Sequence, residues 1–437
     1  MVPSKKLVCK EFLFFTFAFL LLASCSIQKQ ISRSAKQVIN DSSLLTAHVG
    51  ISIYDPAENK YWYNYNGDKY FVPASNTKIP TCYAAMKYLG DSLVGLRYKV
   101  EKDTILTIVP TGDPTFLHPD YGTQPIFSFL KKFRMLIYAG GYVESLGNGW
   151  SWNDYDESYM APMSPFPIYG NLLRIGWVNT DSLIVVPKRF QKKEETGAGY
   201  LKGFKVYRKF DNNDFHFFDG PNKQQSIPFV PDFLTIMNLL EDTLMNELYK
   251  PSHLLRTEEL KTLKAIHSQP TDSLLKSMMH RSDNFFAEQS LLMVSNEMLG
   301  VMNDEKIIDT LLKTDFKDIP QKPRWADGSG LSRYNLFTPQ DFVFILNKMK
   351  NEFGMDRIKV ILPTGGEGTI SNYYKTEAGY IYAKTGTLSG VVAFSGFLYT
   401  KKGKMLIFST LVNNHRASAT DIRRAIEKFL QGIRSKY

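Results

Sequence analysis

The chain has 437 residues, 43% hydrophobic and 22% charged, which supports one large or two to three ordinary domains and excludes intrinsic disorder. The formal net charge is +10, but no basic block is interleaved with aromatics, so no nucleic-acid partner is expected. Three cysteines exclude a disulfide scaffold, and seven scattered histidines form no HExxH pair, so no metal or organic cofactor is expected.

The chain opens on Lys5, Lys6 and Lys10, then an apolar run over residues 12–23. That run is too short to cross a hydrocarbon core of about 30 Å and suits a secretory leader. It ends in Leu22-Ala23-Ser24-Cys25, which resembles a bacterial lipobox. Residues 1–24 then form a signal peptide, and an acylated Cys25 begins the mature chain, a membrane anchor without a spanning helix. An ordinary leader with an incidental cysteine is the alternative. Ser26 follows the cysteine, which by the sorting rule of enteric bacteria points to the outer membrane. The mature chain keeps only Cys82 besides Cys25, so no internal disulfide is expected.

Residues 48–54 and 61–65 read as two strands around an Asp-Pro turn. A helix is expected over 76–89. Residues 99–255 carry short strand-like runs, many Gly and Asn turns, and one clear helix over 231–248. Helices follow over 271–279 and 284–299. Three strands are expected over 380–384, 391–399 and 404–412, then a helix over 419–435 whose apolar residues, from Ile422 to Ile433, share one face.

Three short motifs carry chemistry. In Ser75-Asn76-Thr77-Lys78 the i and i+3 residues share a helix face, so Ser75 Oγ and Lys78 Nζ can meet. A helix N-terminus offers free N–H groups to an oxyanion. Ser282-Asp283-Asn284 falls at a helix–helix junction, and Lys384-Thr385-Gly386-Thr387 at the end of a strand. SxxK, SxN and KTG in this order mark penicillin-recognising acyl-serine enzymes. A lysine with pKa about 10.4 is a poor base near neutrality. Burial and a second cation such as Lys384 both lower it. Asn284 can hold the Lys78 amine and a substrate amide, and Ser282 can relay a proton to a leaving amine. The KTG strand offers an edge to an extended peptide, with Gly386 allowing close approach and Thr385 and Thr387 binding a carboxylate. The N–H groups of Ser75 and Thr387 would form the oxyanion hole.

With these motifs the sequence resembles the D-alanyl-D-alanine carboxypeptidase/endopeptidase family of class C, low-molecular-mass penicillin-binding proteins. The resemblance extends over about residues 45–430. It includes Phe71-Val72-Pro73-Ala74 before the nucleophile, Thr111-Gly112-Asp113-Pro114, Gly149-Trp150-Ser151-Trp152-Asn153-Asp154, Ala161-Pro162-Met163-Ser164 and Asp327-Gly328-Ser329-Gly330-Leu331-Ser332-Arg333. It implies an α+β fold, an antiparallel sheet flanked by helices in a transpeptidase-like domain. That domain, residues 25–98 and 256–437, is split by an insertion over 99–255 rich in short strands. It implies peptidoglycan stem peptides as substrate and β-lactams as inhibitors. Asp154 and Tyr159 would face the free amine of the peptidoglycan diamino acid, and Arg333 its carboxylate. Two departures are Pro80, expected to bend the helix behind the nucleophile, and Leu388 after KTGT. Weaker alternatives are a catalytically silent peptidoglycan-binding lipoprotein and a serine β-lactamase.

Overall fold

A computed structural model describes residues 31–36, 44–101, 104–179, 182–191, 205–218, 224–245, 247–249 and 262–437. The expected leader and Cys25 lie outside the described residues.

The architecture is α+β. A five-stranded sheet, antiparallel throughout, runs in the order Ile381–Leu388, Val391–Tyr399, Met405–Asn413, His48–Asp55 and Lys60–Tyr65. Early and late parts of the chain thus share one sheet, with His48 opposite Asn413. The first strand outruns its expected end at Lys384. Thr385 to Leu388 stay paired with Phe394 to Val391 across a tight hairpin that uses Gly390 at φ +73°. The KTG residues therefore lie within a strand, on the free edge of the sheet.

Both sheet faces are covered, so the central strands read as almost continuous apolar runs. Val392, Phe394, Leu398, Leu406, Phe408 and Val412 pack with Ile422, Ile426, Phe429, Leu430 and Ile433 of the helix Ala419–Lys436. Fully burying each large apolar side chain is worth about 1.5–3 kcal/mol, against about 1 kcal/mol or less for an exposed ion pair. The apolar face, not the charged one, docks this helix. Ala393, Phe397, Ile407 and Leu411 point the other way, with residues of the helices Lys78–Tyr88, Thr271–Arg281, Asn284–Leu299 and Pro339–Ile361.

Helices that were not expected include Pro125–Leu130, Asp304–Lys313 and Pro339–Ile361. The last opens on a reciprocal cap: Thr338 Oγ1 accepts from Asp341 N, and the Asp341 carboxylate accepts from Thr338 N. Pro339 takes the first position, where no N–H is needed.

A second five-stranded sheet is built from Glu247–Tyr249, Met135–Tyr138, Ile105–Pro110, Ser92–Glu101 and Lys264–Pro270, with its first two pairings parallel. Its last two strands, Ser92–Glu101 and Lys264–Pro270, reach outside the 99–255 limits and pair with each other, clasping both ends of this region. A three-stranded and a two-stranded sheet complete it. Leu106, Ile108, Leu136, Ile175, Ile227, Phe229 and Leu240 belong to its own core. The helix expected over 231–248 is Phe233–Leu244, stopped by Met245 in the left-handed conformation at φ +59°.

Candidate active site

Ser75 lies in a 3-10 turn, Ala74–Thr77, that leads into the helix Lys78–Tyr88. The single helix expected over 76–89 is thus split. Pro80 falls inside the first α-helical turn, where its missing N–H has no partner to lose, and the helix continues past it to Tyr88 instead of breaking. Lys78 is fully buried. Its Nζ donates to Asn284 Oδ1 (2.6 Å), Ser329 O (2.8 Å) and Ser75 Oγ (3.1 Å). Burial pushes the Lys78 amine down to about 8, against the opposing pull of Glu288, Asp327 and Asp283. Burial first, and then the Lys78 charge, hold Lys384 well below the usual lysine range.

Ser282 ends the helix Thr271–Arg281 in the left-handed conformation, at φ +61°. Asp283 then caps the helix Asn284–Leu299, its carboxylate accepting from Phe286 N at 3.0 Å. One residue turns the chain and the next starts a helix, so Ser282 and Asn284 reach the same cleft. Lys384 Nζ donates to Ser282 Oγ (2.8 Å) and Thr385 O (2.7 Å), and Asn284 Nδ2 donates to Tyr159 O (2.9 Å). The site therefore holds two serine–lysine pairs, Ser75 with Lys78 and Ser282 with Lys384.

On the KTG strand, Ala383 N donates off the sheet edge to Pro363 O at 3.1 Å. Alternation along the strand aims the Thr387 N–H off the same edge. A Cβ at Gly386 would sit 2.7 Å from Pro73 O and 3.0 Å from Ser75 N. Glycine is needed there because the Ser75 turn packs on the strand. Thr385 is nearly buried, and its hydroxyl donates to Thr369 Oγ1 at 2.7 Å rather than lining the cleft.

The cleft has a volume of about 580 Å³. Ser75, Ser282, Asn284 and Thr387 line it, and so do Asp154, Tyr159, Arg333 and Leu388. Burial, then the neighbouring Asp154 carboxylate, push the Tyr159 hydroxyl up to about 12. Arg333 Nη2 donates to Ser389 O at 2.9 Å, and no carboxylate among the described residues forms an ion pair with it. Among the described residues no group of three or more His, Cys, Asp or Glu could hold a metal ion.

Sequence reading assigned the segment 327–333 to substrate recognition, but its backbone also builds the Lys78 site. The Asp327 carboxylate accepts from Gly330 N (2.8 Å), Ser332 N (2.6 Å), Asn335 Nδ2 (2.7 Å) and Trp150 Nε1 (3.1 Å). Glu288, missed in the sequence, accepts from Gly328 N and Ser329 N, both at 2.8 Å. Together these carboxylates aim Ser329 O at Lys78. Burial, then Asp327, push the Glu288 carboxyl up to about 8. One clue was available: Glu288 lies four residues after Asn284, on the same helix face. Gln289 was missed too. It donates to Gly112 O (2.7 Å) and Ser164 O (3.0 Å) and accepts from Ser164 N (3.1 Å), tying two motif segments of the intervening region to this helix.

Residues 31–191 and 241–433 match the model of the D-Ala-D-Ala carboxypeptidase 3 (S13) family. The chain is 24% identical over 448 residues to a D-alanyl-D-alanine carboxypeptidase of Actinomadura sp. (strain R39), across 87% of this chain and 80% of that protein. It is 24% identical over 451 residues to the D-alanyl-D-alanine carboxypeptidase DacB of Haemophilus influenzae, across 90% of each. Penicillin binding protein 4 of Haemophilus influenzae has a similar fold, with TM-score 0.70 and 20% identity over 92% of this chain and 98% of that one. A predatory peptidoglycan endopeptidase of Bdellovibrio bacteriovorus is a more distant likeness, with TM-score 0.51 and 12% identity over 90% and 93% of the two chains.

Proposed function

Because the chain belongs to the D-Ala-D-Ala carboxypeptidase 3 (S13) family, it is a serine-type D-alanyl-D-alanine carboxypeptidase, and we propose that Ser75 is its nucleophile and Lys78 its base. One observation carries this reading: a fully buried amine, pushed down to about 8, lies 3.1 Å from Ser75 Oγ. Neutral Lys78 takes the Ser75 proton as Oγ attacks the carbonyl of the penultimate D-Ala. The N–H groups of Ser75 and Thr387 receive the developing oxyanion. Ser282, supplied by Lys384, passes a proton to the scissile nitrogen. The C–N bond breaks, the terminal D-amino acid leaves, and an ester remains on Ser75. Water then hydrolyses the ester and restores the serine.

When the leaving nitrogen belongs to a cross-linked diamino acid, the same steps amount to endopeptidase action. On the acyl-donor side, Asp154 and Tyr159 suit the free amine of that peptide's own diamino acid, and Arg333, without an ion partner among the described residues, suits the carboxylate beside it. β-Lactams acylate Ser75 by the same attack. The lipobox-like run ending in Cys25 supports a lipid anchor facing the periplasm, and Ser26 after it favours the outer membrane. Radiolabelled fatty acid incorporation that is lost in Cys25→Ala tests the anchor.

The mechanism is tested by gel-detected acylation with a fluorescent penicillin, using residues 26–437 and the Ser75→Ala variant. A slowly decaying label on the first and none on the second is expected. A folded wild-type chain that takes no label would defeat the acyl-serine mechanism.

A further inference from the structure

The three-stranded sheet of the intervening region is built from Gln224–Pro228, Leu172–Asn179 and Ser182–Val186, with Leu172–Asn179 in the middle. Side chains alternate between its two faces. Leu173, Ile175, Val185 and Ile227 enter the core. On the other face Arg174 lies between Ser226 and Val186, and Gly176 between Gln224 and Ile184. Gly176 has no side chain, so the middle of this face is low and its flanks stand above it. The result is a groove of about 560 Å³, which Leu117, Pro119 and Tyr169 also line. It shares no residue with the catalytic cleft.

One flank is apolar, with Ile184 and Val186, and the other offers the Gln224 amide and the Ser226 hydroxyl. Arg174 is the one charged residue in the lining among the described residues. It is half-buried, and its Nη1 donates to Tyr169 O. Its Nε and Nη2 meet no acceptor among the described residues. The nearby Asp120 carboxylate is taken by Arg281. A guanidinium in a groove without a carboxylate suits a carboxylate ligand, which it can grip through two N–H groups. The volume fits a few residues rather than a length of polymer. An apolar flank opposite a hydrogen-bonding flank suits the side chains and amides of a short peptide.

We propose that this groove is a second peptide site, apart from the catalytic cleft, in which Arg174 holds a free carboxylate of a neighbouring peptidoglycan stem peptide. Only the source of the peptide rests on the peptidase reading above; the carboxylate and the short, half-apolar body follow from the groove. Two contacts with one polymer raise the effective concentration of the second, so the enzyme stays on its substrate between turnovers.

The test fills the cleft with penicillin and then follows, by fluorescence polarisation, the binding of N-terminally rhodamine-labelled L-Ala-γ-D-Glu-L-Lys-D-Ala. Saturable binding is expected, about tenfold or more tighter than for the same peptide with both carboxylates converted to amides. Arg174→Gln should bind the two peptides alike. Ile184→Glu sets a negative charge on an exposed flank and should weaken the carboxylate peptide about tenfold or more, which keeps the test decisive if Arg174→Gln misfolds. Val360→Glu, at a position of matching exposure on the helix Pro339–Ile361 (53% against 51% for Ile184), should bind like the wild type. No saturable binding, equal wild-type affinity for the two peptides, or wild-type affinity in folded Arg174→Gln or in Ile184→Glu would overturn the proposal. Saturable binding of a labelled neutral N-acetylglucosamine trimer in place of the peptide would give the groove to glycan instead. The acyl-serine reading fails separately, by the absence of a penicillin label on Ser75. The groove is then read from the Arg174 and Ile184 variants alone, since neither residue lines the cleft.

Discussion

Gly330 packs directly on the carbonyl of Ala74. A Cβ at Gly330 would fall 1.8 Å from Ala74 O, and Gly330 sits at φ +84°. Ala74 itself is held at φ +47°, a conformation that side chains disfavour, immediately before Ser75. Gly330→Ala must displace the nucleophile turn or the 327–333 loop. A loss of about 2 kcal/mol or more is expected in urea unfolding, with penicillin acylation slowed by at least about a hundredfold. Stopped-flow labelling and an unfolding curve check both.

The acylation rate should rise with pH toward a plateau, with its midpoint set by Lys78 at about 8. Below that midpoint the rate is expected to fall about tenfold per pH unit as the base is protonated. The sign for stability follows from the same group. A lysine lowered in the folded state binds fewer protons there than in the unfolded chain. Its penalty is complete below about 8 and is relieved as pH rises from there toward the ordinary lysine value. Acylation kinetics over pH 6–10 give the midpoint, and urea unfolding over the same range gives the sign.

Glu288→Gln replaces one acceptor oxygen with an NH2 group facing a backbone donor, Gly328 N or Ser329 N. A destabilisation of about 1–3 kcal/mol is expected, the usual cost of a buried unsatisfied donor. The variant also removes a carboxyl whose charge raises Lys78, and since that carboxyl is itself pushed up to about 8, the acylation profile should move to lower pH chiefly around and above that value. An unmoved profile with lowered stability would limit Glu288 to a structural role.

Arg333→Ala is expected to lower kcat/KM by about tenfold or more for peptides with a free diamino acid end. Acylation by a penicillin lacking that end should change far less. Asp154→Asn should discriminate in the same way when the amine is acetylated. Equal losses on every substrate would remove both residues from side-chain recognition.

The site was legible where chemistry is written in short spacings. Ser75 with Lys78, and Ser282 with Asn284, can be read because a helix or a helix junction converts three residues of spacing into one direction. The C-terminal strands and helix were legible because their apolar period is regular. Glu288 was not, since a polar residue inside a helix is unremarkable until its partners, forty residues on, are known. The packing of Gly386 on Pro73 and Ser75 was hidden for the same reason: they lie some 300 residues away in sequence. The Thr385 hydroxyl was expected at a substrate carboxylate, and in the structure it donates to Thr369 Oγ1. The helix Pro339–Ile361 was overlooked although Thr338-Pro339-Gln340-Asp341 writes out its start.

The order of the main sheet also fixes when the enzyme can exist. His48–Asp55 pairs on one side with Met405–Asn413, which is made more than 300 residues later. The nucleophile helix, made early, can be clamped only once the KTG strand and the strands that support it have been synthesised. Such distant pairings close slowly and late. A chain interrupted between Lys78 and Ile381 carries Ser75 and Lys78 but no edge strand against them. The growing polypeptide is therefore inert as a hydrolase for nearly the whole of its synthesis, and it becomes competent in a single late step.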